Sequence, residues 1–232
     1  MFSNVIASKY MIQRTRIKIC GLTREQDVAA AVAAGADAIG FVFYDKSPRY
    51  VTPQRAAQLI GALPPFVTAV GLFVNASPEE VAATVAEAPL SLLQFHGDES
   101  VAQCHAAASL VNRPFIRAMR VGTATVAADL IECELSYRSG SRFFAGLLLD
   151  TLVDGYGGSG KVFDWSLIPE ELAPQVVLSG GLSVQNATDA VARVRPFAVD
   201  ISSGVEQDKG IKDAAKIRAF IAAVRQADAS ID

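Results

Sequence analysis

Three side chains in this sequence have the type and placement to move a proton or hold an anion. Cys20 ends the apolar run "RIKIC" (16–20), Asp150 closes "FFAGLLLD" (143–150), and Arg49 stands in the proline-containing segment "KSPRYV" (46–51). A thiol near a helix N-terminus feels the positive end of the helix dipole, which favours the thiolate and so a base or nucleophile. Free cysteine is also a common core residue, so residue type alone leaves Cys20 open between the two roles. A carboxylate following a buried apolar run costs free energy unless it is paired; otherwise its pKa rises and it can serve as a general acid. A helix cap or a turn is the competing reading of Asp150. The planar guanidinium of Arg49 can grip a carboxylate through two parallel hydrogen bonds, or it can simply be solvated.

Glycine clusters supply a second kind of chemistry. "GYGGSGK" (155–161), "SGGLS" (179–183) and "SSGVE" (202–206) each let backbone N–H groups converge on an anion such as phosphate. The first also matches most of a nucleotide-binding P-loop, but Val162 stands where a Mg²⁺-holding Ser or Thr is required. His96 and His105 are the only histidines, without metal-ligand spacing, so no metal site is expected. His96 and Gln94, two residues apart on one strand face, either touch a substrate or bond structurally. Cys104 and Cys133, inside helix-like segments, read as core.

The elements that must position these groups alternate through the chain. Eight strand candidates, at 16–20, 38–43, 67–74, 91–96, 115–120, 143–150, 176–180 and 197–202, alternate with helix-like segments. Several are apolar on both faces, as central parallel strands require. Thr23-Arg24-Glu25-Gln26 and Ser77-Pro78-Glu79-Glu80 fit capping boxes, and Thr52 before Pro53 fits an N-cap followed by proline. Val81, Val85 and Ala88, like Ile217, Ile221 and Val224, recur at helical spacing. The segment after the fifth strand is the poorest in helix-start signals. Eight βα units predict an α/β fold, a single-domain (β/α)8 TIM barrel, with an open doubly wound sheet as runner-up. Residues 1–14 read as an N-terminal extension, 15–228 as the barrel and 229–232 as a tail. A barrel active site lies at the C-terminal strand ends, where Cys20, Arg49, Asp150 and the glycine clusters fall.

Composition narrows the partners. The 232 residues are 51% hydrophobic, with a formal charge of -3 and no block of Lys or Arg, which disfavours nucleic acid and membrane surfaces. Three irregularly spaced cysteines disfavour a disulfide framework and fit a reducing cytoplasm. No apolar stretch approaches the roughly 20 residues of a membrane span. A small phosphorylated molecule is the expected partner, with monomer and homodimer both open.

Taken in order, "KICGLT", "GFVFYDKSPRYV", "LLQFHGDE", "LLLDT", "GGSGKVFDW", "LSGGL" and "VDISSGVE" resemble the phosphoribosylanthranilate isomerase family over nearly the whole chain. The resemblance implies an Amadori rearrangement of N-(5-phosphoribosyl)anthranilate to 1-(2-carboxyphenylamino)-1-deoxyribulose 5-phosphate in tryptophan biosynthesis. No cofactor or metal would take part. It makes Asp150 the general acid, Cys20 the general base and Arg49 the partner of the anthranilate carboxylate. It places Gly158, Gly160, Gly180 and Gly181, together with Ser202, Ser203 and Gly204, on phosphate loops, and Asp200 near the ribose. The segment "EQDKGIKD" (206–213) lacks a proline expected there and is placed outside the chemistry. Another phosphosugar barrel enzyme, an epimerase or a lyase, is the alternative. The absence of a lysine at a strand end counts against a Schiff base, and intact Cys20, Asp150 and Arg49 count against an inactive barrel.

Overall fold

The computed structural model describes residues 14–152 and 162–230. Eight parallel strands close into a barrel in sequence order: β1 Arg16–Cys20, β2 Ala38–Val42, β3 Thr68–Phe73, β4 Leu92–Phe95, β5 Phe115–Val121, β6 Phe144–Thr151, β7 Val177–Leu178 and β8 Ala198–Ile201. β1 closes against β8 with Lys18 paired to Asp200 in register. The barrel and the strand positions are those the alternation predicts; the open-sheet alternative is excluded by closure.

Alternation along each strand builds two cores. Outward residues such as Ile17, Ile19, Phe41, Leu93, Phe95 and Leu149 pack beneath the helices in one large apolar cluster. Inward residues Leu92, Ile116, Ala118, Leu148, Val177 and Ala198 form a separate cluster inside the barrel. Because side chains repeat every second residue, the next inward positions above this plug are Gln94, Asp150, Ser179 and Asp200. The apolar plug therefore seals the barrel, and the polar residues stand on it facing the C-terminal mouth.

The outer helices are α1 Glu25–Ala34, α2 Pro53–Gly61, α3 Pro78–Glu87, α4 Val101–Val111, α5 Ala127–Gly140, α6 Ala187–Val194 and α7 Ala214–Asp228. Thr52 caps α2 ahead of Pro53, and Ser77 with Glu80 closes the predicted capping box of α3. Ser100 and Gln103 form another box on α4. The Thr23 box does not form. α1 starts at Glu25 after Arg24, and the Thr23 hydroxyl donates instead to the Gly210 carbonyl, because a β-hairpin lies within its reach. α5, weak in sequence, forms without a side-chain cap on its first turn's N–H groups; Asp129 instead accepts from the Val126 N–H. Between β6 and β7 the described residues contain two 3₁₀ turns, Trp165–Leu167 and Ala173–Gln175, and no α-helix. After β8 come a 3₁₀ turn, Ser203–Val205, and the hairpin β9 Glu206–Asp208 and β10 Ile211–Lys212, which the sequence reading did not anticipate.

At the opposite end of the barrel the first strand is tied to the last helix. Asp228 accepts from the Thr15 N–H at 3.0 Å and hydroxyl at 2.7 Å, and Arg225 donates to the Thr15 carbonyl at 2.6 Å. Among the described residues, no helix is long and apolar enough to cross a membrane.

Candidate active site

Cys20, Arg49, Gln94, His96, Asp150, Gly180, Gly181, Asp200, Ser202 and Ser203 all border one cavity at the C-terminal mouth, with about 840 Å³ of empty space. Gly158 and Gly160 lie outside the described residues. Gly204 does not line the cavity; it sits flat against the Leu182 carbonyl, where no Cβ would fit, and so lets the turn after β8 pack on the loop after β7.

Asp150 projects from the end of β6, three strands around the closed barrel from Cys20 on β1. Its Oδ2 is 3.0 Å from His96 Nε2, and its Oδ1 accepts from the Thr151 N–H at 2.9 Å. His96 Nδ1 in turn lies 3.0 Å from Gln94 Nε2. With Gln94 Nε2 donating to Nδ1, the neutral imidazole carries its proton on Nε2 and donates it to the Asp150 carboxylate. Gln94 Oε1 is buried and has no partner among the described residues. Both Gln94 and His96 thus make structural bonds while bordering the cavity.

Cys20 is 4% exposed at the end of β1. Burial pushes its thiol up from the ordinary value; the Lys18 ammonium opposes this most strongly, Asp200 adds to the rise and Lys212 also opposes it. The helix after β1 begins five residues past Cys20 and carries Glu25 and Asp27 in its first turn, and the cations acting on the thiol are Lys18, Lys212 and Arg49. Asp200, expected near the ribose, holds Lys18 Nζ at 2.9 Å.

Arg49 is ordered rather than solvated. Its Nε and Nη2 donate to Glu206 at 2.7 and 2.8 Å, and Lys212 Nζ donates to the same carboxylate at 2.8 Å. The hairpin segment 206–213, set apart from the chemistry in sequence, therefore builds the arginine's seat. Gly21 completes it: at φ +74°, a Cβ there would stand 2.5 Å from Arg49 Cδ, so glycine lets the side chain cross the end of β1. Lys18, Arg49 and Lys212 face Asp200 and Glu206, leaving one surplus cation beside the cavity.

Across the mouth, Gly180 (φ +80°) and Gly181 (φ +68°) form a left-handed turn that non-glycine residues resist. A Cβ on Gly180 would come within 2.7 Å of Asp150 Oδ1. Among the described residues, none accepts a hydrogen bond from the N–H groups of Gly180, Gly181, Ser203 or Gly204. The Ser202 hydroxyl, in contrast, donates to the Cys20 carbonyl at 3.1 Å and receives Lys212 Nζ at 3.2 Å, so it is committed to the protein. Lys18, Lys212 and Glu206 are the site residues that sequence reasoning missed. A lysine two places before Cys20 within an apolar strand was the available signal for the first.

A closed barrel with an acid, a thiol, a seated arginine and unspent loop N–H groups around one mouth defines an enzyme of small phosphorylated substrates. The model of the family described as N-(5'-phosphoribosyl)anthranilate (PRA) isomerase matches residues 17–223. The chain belongs to that family. It is similar to the N-(5'-phosphoribosyl)anthranilate isomerase of Herminiimonas arsenicoxydans, 72% identical over 221 residues, covering 95% of this chain and 97% of that protein. Among solved structures it is similar to phosphoribosyl anthranilate isomerase of Thermotoga maritima, 44% identical with a TM-score of 0.79, covering 91% of this chain and 99% of that one. A phosphoribosyl anthranilate isomerase in complex with reduced 1-(o-carboxyphenylamino)-1-deoxyribulose 5-phosphate is 40% identical with a TM-score of 0.74, at the same coverage.

Proposed function

We propose that Asp150 and Cys20 divide the two proton transfers of the family's reaction. The chain is an aldose–ketose isomerase of tryptophan biosynthesis, converting N-(5-phosphoribosyl)anthranilate to 1-(2-carboxyphenylamino)-1-deoxyribulose 5-phosphate. In this reading the Asp150 carboxyl gives its proton to the furanose ring oxygen, the C1–O bond breaks, and the nitrogen lone pair forms an iminium. The Cys20 thiolate then takes the C2 proton, and the C2–H electrons neutralise the iminium as an enolamine that tautomerises to the ketone. One group could not serve both steps well, since the acid must hold its proton and the base must lack one.

The observation that carries the assignment is the placement of thiol and carboxyl on β1 and β6, across one cavity, on strands fixed by the barrel. Arg49, seated by Glu206, takes the anthranilate carboxylate, and the N–H groups after β7 and β8 take the phosphate. Gly158 and Gly160 belong to the same phosphate reading, and Asp200 acts on the site through Lys18. The unit responsible is the barrel domain, 15–228, flanked by the extension 1–14 and the tail 229–232. A free Cys20 thiol requires a reducing compartment, so the enzyme works in the cytoplasm, as a monomer or homodimer.

The test is turnover of phosphoribosylanthranilate, followed by loss of its fluorescence with purified, chelator-treated protein. Cys20→Ala and Asp150→Ala should each lower kcat/KM by about 10²–10⁴, the usual worth of a general acid or base, with the fold intact by circular dichroism. Turnover like that of the unmodified protein in either variant removes that residue from the mechanism.

A further inference from the structure

We propose that Lys18 is a positioning residue for the base: its ammonium, pinned by Asp200, stabilises negative charge on the Cys20 sulfur. The proposal rests on Cys20 as the base, and its test is chosen to fail separately from that reading. Lys18 and Cys20 stand two residues apart on β1 and therefore on one face of the strand, inside the barrel. Both are 4% exposed. A Cβ built on Gly40 of the neighbouring strand would come within 2.7 Å of Cys20 Sγ and 3.1 Å of Lys18 Cε, so the two side chains share the gap that glycine leaves. Asp200, paired in register with Lys18 across the β1–β8 seam, fixes the ammonium at 2.9 Å.

The remaining charges around the thiol act from three directions. Lys212 approaches from β10 and Arg49 from the segment after β2, both interacting favourably with a thiolate, while Asp200 on β8 opposes it. Lys212 and Arg49 already share Glu206. Lys18 is the cation with the strongest effect on the sulfur, and it opposes, without overcoming, the burial that keeps the thiol protonated. A lysine whose only work was to close the barrel seam would need Asp200 alone.

The experiment is the pH dependence of Cys20 alkylation by iodoacetamide, read on the Cys20 peptide by mass spectrometry, in the full chain without substrate. Alkylation follows the thiolate fraction, so its midpoint reports ionisation whether or not Cys20 is the catalytic base. Lys18→Met should move the midpoint up and slow alkylation below it about tenfold, the change that one pH unit of midpoint produces. Asp200→Asn keeps an acceptor for Lys18 but removes the opposing charge, so the midpoint should fall. The double variant Lys18→Met/Asp200→Asn leaves no unpaired buried charge, which guards against misfolding, and its midpoint should rise less than that of Lys18→Met. In turnover, the acid limb of kcat/KM should move with the alkylation midpoint. Unmoved midpoints, or shifts of the same sign in both single variants, overturn the proposal. Midpoints that move as stated while Cys20→Ala keeps full turnover refute the base instead.

Discussion

Replacing Glu206 with glutamine tests whether the β9–β10 hairpin holds the site together. Three charged donors converge on this carboxylate at 2.7, 2.8 and 2.8 Å, and the Glu206, Arg49 and Lys212 side chains are 7%, 14% and 0% exposed. Glutamine keeps one acceptor and nearly the same volume, so the lost quantity is charge. It leaves Arg49 and Lys212 desolvated without a counter-ion, a change that costs about 3–5 kcal/mol when one partner of a buried pair is removed. For a chain of this size that is a fall in melting temperature of about 10 °C. Burial pushes the Glu206 carboxyl up, but hydrogen bonds from Arg49 and the charge and hydrogen bond of Lys212 outweigh it and hold the group below the ordinary range. A depressed folded-state value stabilises the protein above the unfolded value of about 4.3 and ceases to do so as pH falls through the folded value. The difference in unfolding free energy between the two proteins should therefore be full at neutral pH and shrink in acid. Urea unfolding across that range reads it, and KM should rise because Arg49 loses its seat. A difference below about 1 kcal/mol that is flat with pH would show that the three-way contact is ordinary surface pairing.

Other perturbations address other parts of the molecule. Arg49→Lys should raise KM far more than it lowers kcat, because a lysine cannot keep the bidentate bond to Glu206 and present a second edge to a carboxylate; an unchanged KM removes the clamp. Gly180→Val should impair turnover and raise KM together, since it forces a β-branched residue into φ +80° and against Asp150; kinetics like those of the parent protein would show that the loop can relax. Asp228→Ala should cost about 1–3 kcal/mol in urea unfolding, by leaving the Thr15 N–H and hydroxyl unpaired, with kinetics unchanged because this tie lies at the opposite end of the barrel. A lowered kcat would mean that the end-to-end separation of stability and chemistry fails.

What the sequence revealed and what it concealed follow from one property of barrels. Parallel strands covered on both faces read as apolar runs, so all eight were visible, and acid and thiol stood out because each interrupted such a run at its end. Lys18 was hidden in the middle of one. Its charge is intelligible only once closure brings β8 beside β1 and sets Asp200 opposite it, a pairing between residues 182 positions apart in sequence. Glu206 and Lys212 were concealed for the same reason: nothing local in "EQDKGIKD" says that the hairpin folds back over Arg49. Thr23 failed as a cap because the same hairpin offered its hydroxyl a partner. Local signals thus placed the groups proposed to change protonation, whereas the charged groups packed around Cys20 and Arg49 lie largely on distant segments joined by closure. The chemistry proposed at Cys20 accordingly ties to the β1–β8 seam: loosening that seam should raise the alkylation midpoint of the thiol even where no charge is altered.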